Sequence, residues 1–330
     1  TGPISDNATV LITEGKPDLA DITITADPET ITTDGTSDIT VQLKDQFGNN
    51  LSTSRGDITL FTSLTGTALT DVDDNHDGTY SAVLSTTVTG VTTITGHLVD
   101  APDGIDGDIT DHAVVTINEG KPALARIQIT ASPETITTDE TSTITIQLRD
   151  QWGNNLSTQR GIVTLAANNY GAIIATATYV ANGIYTTTLT GDSRGVGITT
   201  VTGHLNDVAE GVVGNIDDDA EVTITEGLPS MEVSTITAVP ETMTTDGSST
   251  ITVQLKDQHG NLIVNNRGEV ALSSTIGLLS PVIYNGNGTY VATLSGNSDG
   301  VGTATISGTL AGDVNGDITD YATVLITEGL

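Results

Sequence analysis

Three features of the sequence predict an all-β chain built as three tandem β-sandwiches. The first is a triple repeat. Pro-Glu-Thr begins at Pro28, Pro133 and Pro240, steps of 105 and 107 residues. Seventeen residues after each proline stands Asp45-Gln46-Phe47-Gly48-Asn49, Asp150-Gln151-Trp152-Gly153-Asn154 or Asp257-Gln258-His259-Gly260-Asn261. Such a period is too long for a solenoid unit and suits one small domain per copy. The second feature is alternation of apolar and polar residues in β-branched runs, as in Ile39-Thr40-Val41-Gln42-Leu43, which is the strand signal. The third is that no apolar period of 3.6 residues persists over a dozen positions, which argues against helix.

Within the first copy each strand has its own reason. Strand A lies near 20–26 on Ile22-Thr23-Ile24-Thr25, and B near 37–44 on the run ending at Leu43. C follows the Arg55-Gly56 pair over 56–63, and D spans 67–73. The turn Asn75-His76-Asp77-Gly78 supplies the positive φ a tight hairpin needs, so E begins at 78 and runs to 85, with Tyr80 as its aromatic anchor. F covers 89–98 and G covers 112–118. Seven short strands in about 100 residues indicate an immunoglobulin-like sandwich. The fold class is therefore all-β, three tandem immunoglobulin-like β-sandwiches in an extended array.

The repeats divide the chain into 17–120, 121–227 and 228–330. Residues 1–16 read as the last strand of an upstream repeat, because Asn7–Gly15 nearly reproduces Tyr321–Gly329. The apolar face of that segment, Ala8, Val10 and Ile12, would otherwise seek an open sheet edge, as in donor-strand exchange between filament subunits.

Composition narrows the function. The 330 residues contain no cysteine, so disulfides and thiolate metal sites are excluded. No stretch has the apolar length of a membrane-spanning helix, and direct membrane insertion is not expected. With 42 acidic and 10 basic residues the formal charge is −32. That field repels nucleic acid and anionic membranes and attracts divalent cations.

The run Val41–Asn49 followed by Arg55-Gly56-Asp57-Ile58-Thr59-Leu60 resembles the core of bacterial Ig-like group 1 domains, the invasin and intimin stalk family. Asp77-Gly78-Thr79-Tyr80-Ser81-Ala82-Val83-Leu84 and Gly90–Gly96 are similar to its second half, and all three copies match. The resemblance implies an exported, cell-surface or secreted protein using these modules as spacers, and it carries no catalytic residues. The acid-rich loop before strand G departs from a plain stalk module.

The sandwich topology places the B–C, D–E and F–G loops at the leading end of each domain, against the preceding repeat. The acids fall in those loops, in the linkers and in the preceding A–B turn. Hard oxygen ligands converging on a junction are what Ca²⁺ takes, six to eight at a time. The candidate ligands are Glu14, Asp34, Asp45, Asp106, Asp108 and Asp111 for the first copy and its linker. Glu119, Asp139, Asp150, Asp217 and Asp218 follow for the second, and Glu226, Asp257, Asp317 and Asp320 for the third. The competing reading is a solvated surface screened by salt. Asp73, Asn75, Asp77 and Gly78 also imitate the start of an EF-hand loop, but Leu84 stands where its last carboxylate belongs, and a hairpin turn is the expectation.

No nucleotide loop and no Ser-His-Asp set appears, so the chain reads as a non-enzymatic extender section of a cell-surface or secreted adhesin, stiffened by calcium. Its expected partners are neighbouring Ig-like repeats and a host or cell-surface protein or glycan. The alternatives are adhesive ligand-binding domains, filament subunits, or accessory modules of a secreted polysaccharide-degrading enzyme. The most divergent loop, Ala166–Gly171, is where ligand binding would differ between copies.

Overall fold

The computed structural model describes residues 6–168, 173–191, 195–296 and 300–329. Among these residues there is no helix, and the strands form six sheets, two per repeat. In the first repeat the strands are β1 (Thr23–Asp27), β2 (Thr30–Thr32), β3 (Thr36–Gln42), β4 (Asp57–Thr62) and β5 (Thr67–Leu69). They continue with β6 (Asp73–Asp74), β7 (Thr79–Thr86), β8 (Gly90–Asp100), β9 (Ile105–Asp108) and β10 (Ala113–Asn118). One sheet has the order β1-β3-β7-β5, with β6 also on β7, and the other β2-β10-β8-β4, with β9 also on β8.

Three details differ from the pattern expected of the sequence. The predicted strand A, near 20–26, is β1, and the chain breaks after it before a second, unpredicted strand, β2. β1 pairs antiparallel with β3, whereas β2, after the cis peptide Asp27-Pro28, pairs parallel with β10 in the opposite sheet. A proline has no N–H to continue a ladder, so the Pro-Glu-Thr motif is where the strand changes sheets. The predicted strand D is likewise broken into β5 and β6. Strand β9, not foreseen, folds the acid-rich loop back onto β8.

The alternation seen in sequence becomes alternation in burial. Ile39, Val41 and Leu43 point inward from β3 and its end, and Leu84, Ile94, Leu98 and Val115 meet them from other strands, all fully buried. Each such side chain contributes about 1.5–3 kcal/mol on burial. Three separate apolar cores result, one per repeat, and extensive strand packing stays within a repeat.

Tyr80, Tyr185 and Tyr290 are 2 % exposed and tie the hairpin to the Arg-Gly turn. The Tyr80 hydroxyl lies 2.9 Å from the Gly56 carbonyl and accepts from the Arg55 N–H at 3.1 Å. The Tyr185 hydroxyl donates to the Arg160 carbonyl at 2.6 Å, and Tyr290 to Gly268 at 2.8 Å. Burial pushes all three phenols above their ordinary pKa. The tyrosine thus holds the arginine at the leading end of its repeat.

Candidate functional site: the junctions between repeats

Each junction is built from three short segments, and their local chemistry explains the repeated motifs. The aspartate of Asp-Gln-x-Gly-Asn folds its own loop. Asp150 Oδ1 accepts from the Trp152 N–H at 3.0 Å and the Asn154 N–H at 2.9 Å, and the Asn154 side chain donates to both of its oxygens. Its Oδ2 also reaches the preceding repeat, accepting from the Thr33 hydroxyl at 2.7 Å and the linker Gly120 N–H at 3.2 Å. The second junction repeats this: Asp257 Oδ2 accepts from Thr138 Oγ1 at 3.0 Å and Gly227 N at 3.1 Å. Both aspartates are 0 % exposed. Burial would raise their carboxyl pKa values, yet these donors outweigh it and hold both below the ordinary 3.8.

The A–B turn supplies a second carboxylate. Asp34 accepts from the Lys121 N–H at 2.9 Å and from the Gln151 side chain. Asp139 accepts from Gln258 and meets His259 Nε2 at 3.3 Å. Trp152 sends its indole N–H to the Thr33 carbonyl at 3.2 Å, and Asn154 donates to the Thr87 carbonyl at 3.0 Å. The linker glycine makes room for the turn carboxylate: a Cβ on Gly120 or Gly227 would displace the Asp34 or Asp139 side chain.

The linker glutamate and the Arg-Gly arginine form the last part. Glu119 accepts from the Ser157 N–H at 2.9 Å and its hydroxyl at 2.6 Å, as Glu14 accepts from the Ser52 N–H at 2.9 Å. Glu226 accepts from the Val264 N–H at 3.3 Å and pairs with Arg267 at 3.4 Å. The arginines also meet an acid of the F–G loop: Arg55 with Asp103 at 3.1 Å, Arg160 with Glu210, and Arg267 with Asp313 at 3.2 Å. Partly exposed pairs of this kind contribute little singly, and Arg267 joins its pair to the linker through Glu226.

The residues expected to bind calcium are dispersed by these roles. Asp34 and Asp150 both bond linker N–H groups at the first junction, and Asp139 and Asp257 each bond a side chain of the opposite repeat at the second, with Glu119 and Glu226 in the adjoining linkers. Asp45 folds its loop in the same way as Asp150, through the Phe47 and Asn49 N–H groups, both at 3.0 Å. Asp106 and Asp108 lie on β9, 2.9 and 2.7 Å from the two ring nitrogens of His97, and these contacts raise the imidazole pKa. Asp111, Asp218 and Asp320 accept the N–H groups of Ile24, Ile129 and Ile236 at 2.9, 2.7 and 2.8 Å. Asp217 and Asp317 are exposed on the strands that extend or pair the F–G hairpin. Among the described residues no three His, Asp or Glu side chains converge as a metal-holding group. The junction oxygens face N–H and O–H donors, whose hydrogens would oppose a cation, so they do not fit a preformed calcium cage. The Asp73–Gly78 segment is a hairpin turn, with Asp77 Oδ1 accepting from the Thr79 N–H at 3.0 Å. Asn169, Tyr170 and Gly171 of the divergent loop lie outside the described residues.

Sequence reasoning missed the threonine that donates across each junction, although the signal was present: Thr32-Thr33-Asp34 recurs as Thr137-Thr138-Asp139 and Thr244-Thr245-Asp246. The Trp152 indole N–H likewise bridges two repeats.

The family described as Invasin, domain 3, matches this chain at residues 18–120, 123–227 and 230–329. Among solved structures, the Escherichia coli adhesin FdeC is 22% identical, with 96% of this chain and 100% of that one covered at a TM-score of 0.57. Yersinia pseudotuberculosis InvD is 19% identical, with 92% and 96% covered at 0.52. Invasin, a bacterial integrin-binding protein, is 20% identical, with 93% of this chain and 60% of that one covered at 0.51. At these identities the likeness to the solved structures is one of fold.

Proposed function

Because the chain belongs to the Invasin domain 3 family in three consecutive copies, we propose that it is a non-catalytic extender of a bacterial surface adhesin, displayed outside the cell. The observation that carries this reading is the junction lock: the same buried aspartate, threonine and linker glycine join both pairs of repeats. A chain with flexible spacers would have no use for a buried carboxylate shared between domains. Small-angle scattering tests it. A compact particle of 330 residues would have a radius of gyration of about 20 Å. The expected value lies clearly above this, with a maximum dimension set by three sandwiches end to end. A compact particle would overturn the reading.

Calcium enters as a second proposal, supported by the charge of −32 and by the two aspartates placed at each junction. Without a preformed cage the ion would act weakly, bridging and screening outward-facing oxygens. Millimolar calcium is then expected to raise the unfolding temperature more than sodium chloride of equal ionic strength, because a ion bound only to the folded junction stabilises it. Equal shifts with the two salts, and no heat in titration calorimetry, would remove calcium from the proposal.

A further inference from the structure

The first junction carries a cleft of about 330 Å³ bordered by the only tryptophan of the chain. Both repeats line it: Asp34, Gly66, Ala68 and Thr87 from the first, Gln151 and Trp152 from the second. Trp152 remains 52% exposed although its N–H is engaged by the Thr33 carbonyl. That bond prevents the ring from turning away and leaves its hydrocarbon face open. The other repeats do not reproduce this. The Phe47 side chain has no N–H, and His259 directs its ring nitrogen to Asp139. A rigid aromatic face, a carboxylate, an amide and a hydroxyl-bearing side chain therefore share one concave space at the first junction.

We infer that this cleft is a binding subsite for one neutral hexose unit of a glycan, an activity beyond that of an extender. The C–H face of a pyranose stacks on the negative face of the indole, as ring quadrupoles require. The sugar hydroxyls find acceptors in the remaining lone pairs of Asp34 and in the Gln151 carbonyl oxygen. The volume lies at the lower end of small-molecule sites, about 300–1,000 Å³, which suits a single ring. With 42 acidic residues against 10 basic ones, sialylated and uronic sugars are repelled. A peptide strand is disfavoured because the edge strand here, β5, has only three residues and offers too short a ladder for strand addition.

The single tryptophan makes the site its own reporter. The whole chain is titrated with glucose, galactose, mannose, N-acetylglucosamine and their short oligomers while indole emission is followed. A saturable change with a Kd of about 1 mM is expected for at least one neutral sugar, and little response to sialic acid. Ala68→Phe fills the cleft from β5 while keeping the Thr33, Asp150 and Trp152 side chains themselves unaltered, and is expected to weaken binding at least tenfold. Saturation-transfer NMR on the unaltered chain provides a readout independent of emission, its signal is expected to weaken in Trp152→Phe, and thermal unfolding verifies that both variants fold. Absence of any saccharide response in both methods would overturn the inference. So would an undiminished response in Ala68→Phe, or a response confined to an arginine-rich peptide, which would mark a cation–π surface instead. Scattering by the unliganded chain is unaffected by either result, so the extender reading stands or falls separately.

Discussion

Asp150→Ala is expected to destabilise the second repeat by about 3–4 kcal/mol and to loosen the first junction. The carboxylate is fully buried, and charge-assisted hydrogen bonds contribute about 1.5–3 kcal/mol each, with a further penalty when buried donors lose their acceptor. Alanine would abandon the Trp152, Asn154 and Gly120 N–H groups and the Thr33 hydroxyl together. Hydrogen exchange resolved by repeat is the suitable measurement, since a chain of three domains does not unfold as one unit. Protection should fall in the second repeat and in 33–34 of the first, and scattering should show increased bending. Asp45→Ala removes the same loop acceptor where no Thr33 equivalent donates to it, and should leave bending unchanged. A junction unaltered by Asp150→Ala would mean that the shared carboxylate does not set inter-repeat stiffness. The same groups give a pH dependence with a definite sign. The Asp45, Asp150 and Asp257 carboxyls are held below the ordinary 3.8. Their contribution is therefore complete above that value and is lost as pH falls through the depressed ones. Protection at both junctions is expected to be flat near neutrality and to fall below about pH 4.

Gly183→Ala is expected to cost about 3 kcal/mol or more, for two separable reasons. Gly183 has φ +68°, and a Cβ there would sit 2.5 Å from the Leu156 carbonyl oxygen. The left-handed conformation alone costs a non-glycine residue about 1–2 kcal/mol, and the clash adds the rest. Gly153 provides the control, because it has φ +91° but nothing within 4 Å of a Cβ. Chemical denaturation of the two variants should separate strain from collision. Equal losses would show that the hairpin yields to accommodate the methyl group.

The repeat, the strand alternation and the turn residues were legible in the sequence because each depends on neighbours along the chain. Ile39, Val41 and Leu43 declare a buried face by their spacing alone, and Asn182-Gly183 or Asn287-Gly288 declare a hairpin by their tolerance of positive φ, found at +49° and +68° in the first of these. The membership of Asp34, Asp139, Asp150 and Asp257 in the junctions was also legible, because sandwich topology assigns loops to ends. What those carboxylates do there was decided only by tertiary structure. An aspartate reads the same whether it meets a cation or an N–H group, and its partner Thr33 lies 117 residues from Asp150. Asp106 and Asp108 illustrate the same limit: their loop folds back as β9 onto β8, which takes them to His97. Local pattern determines which face of a strand is buried. The choice among donors for a side chain carrying four lone-pair sites is made by whatever the fold brings within 3 Å of it.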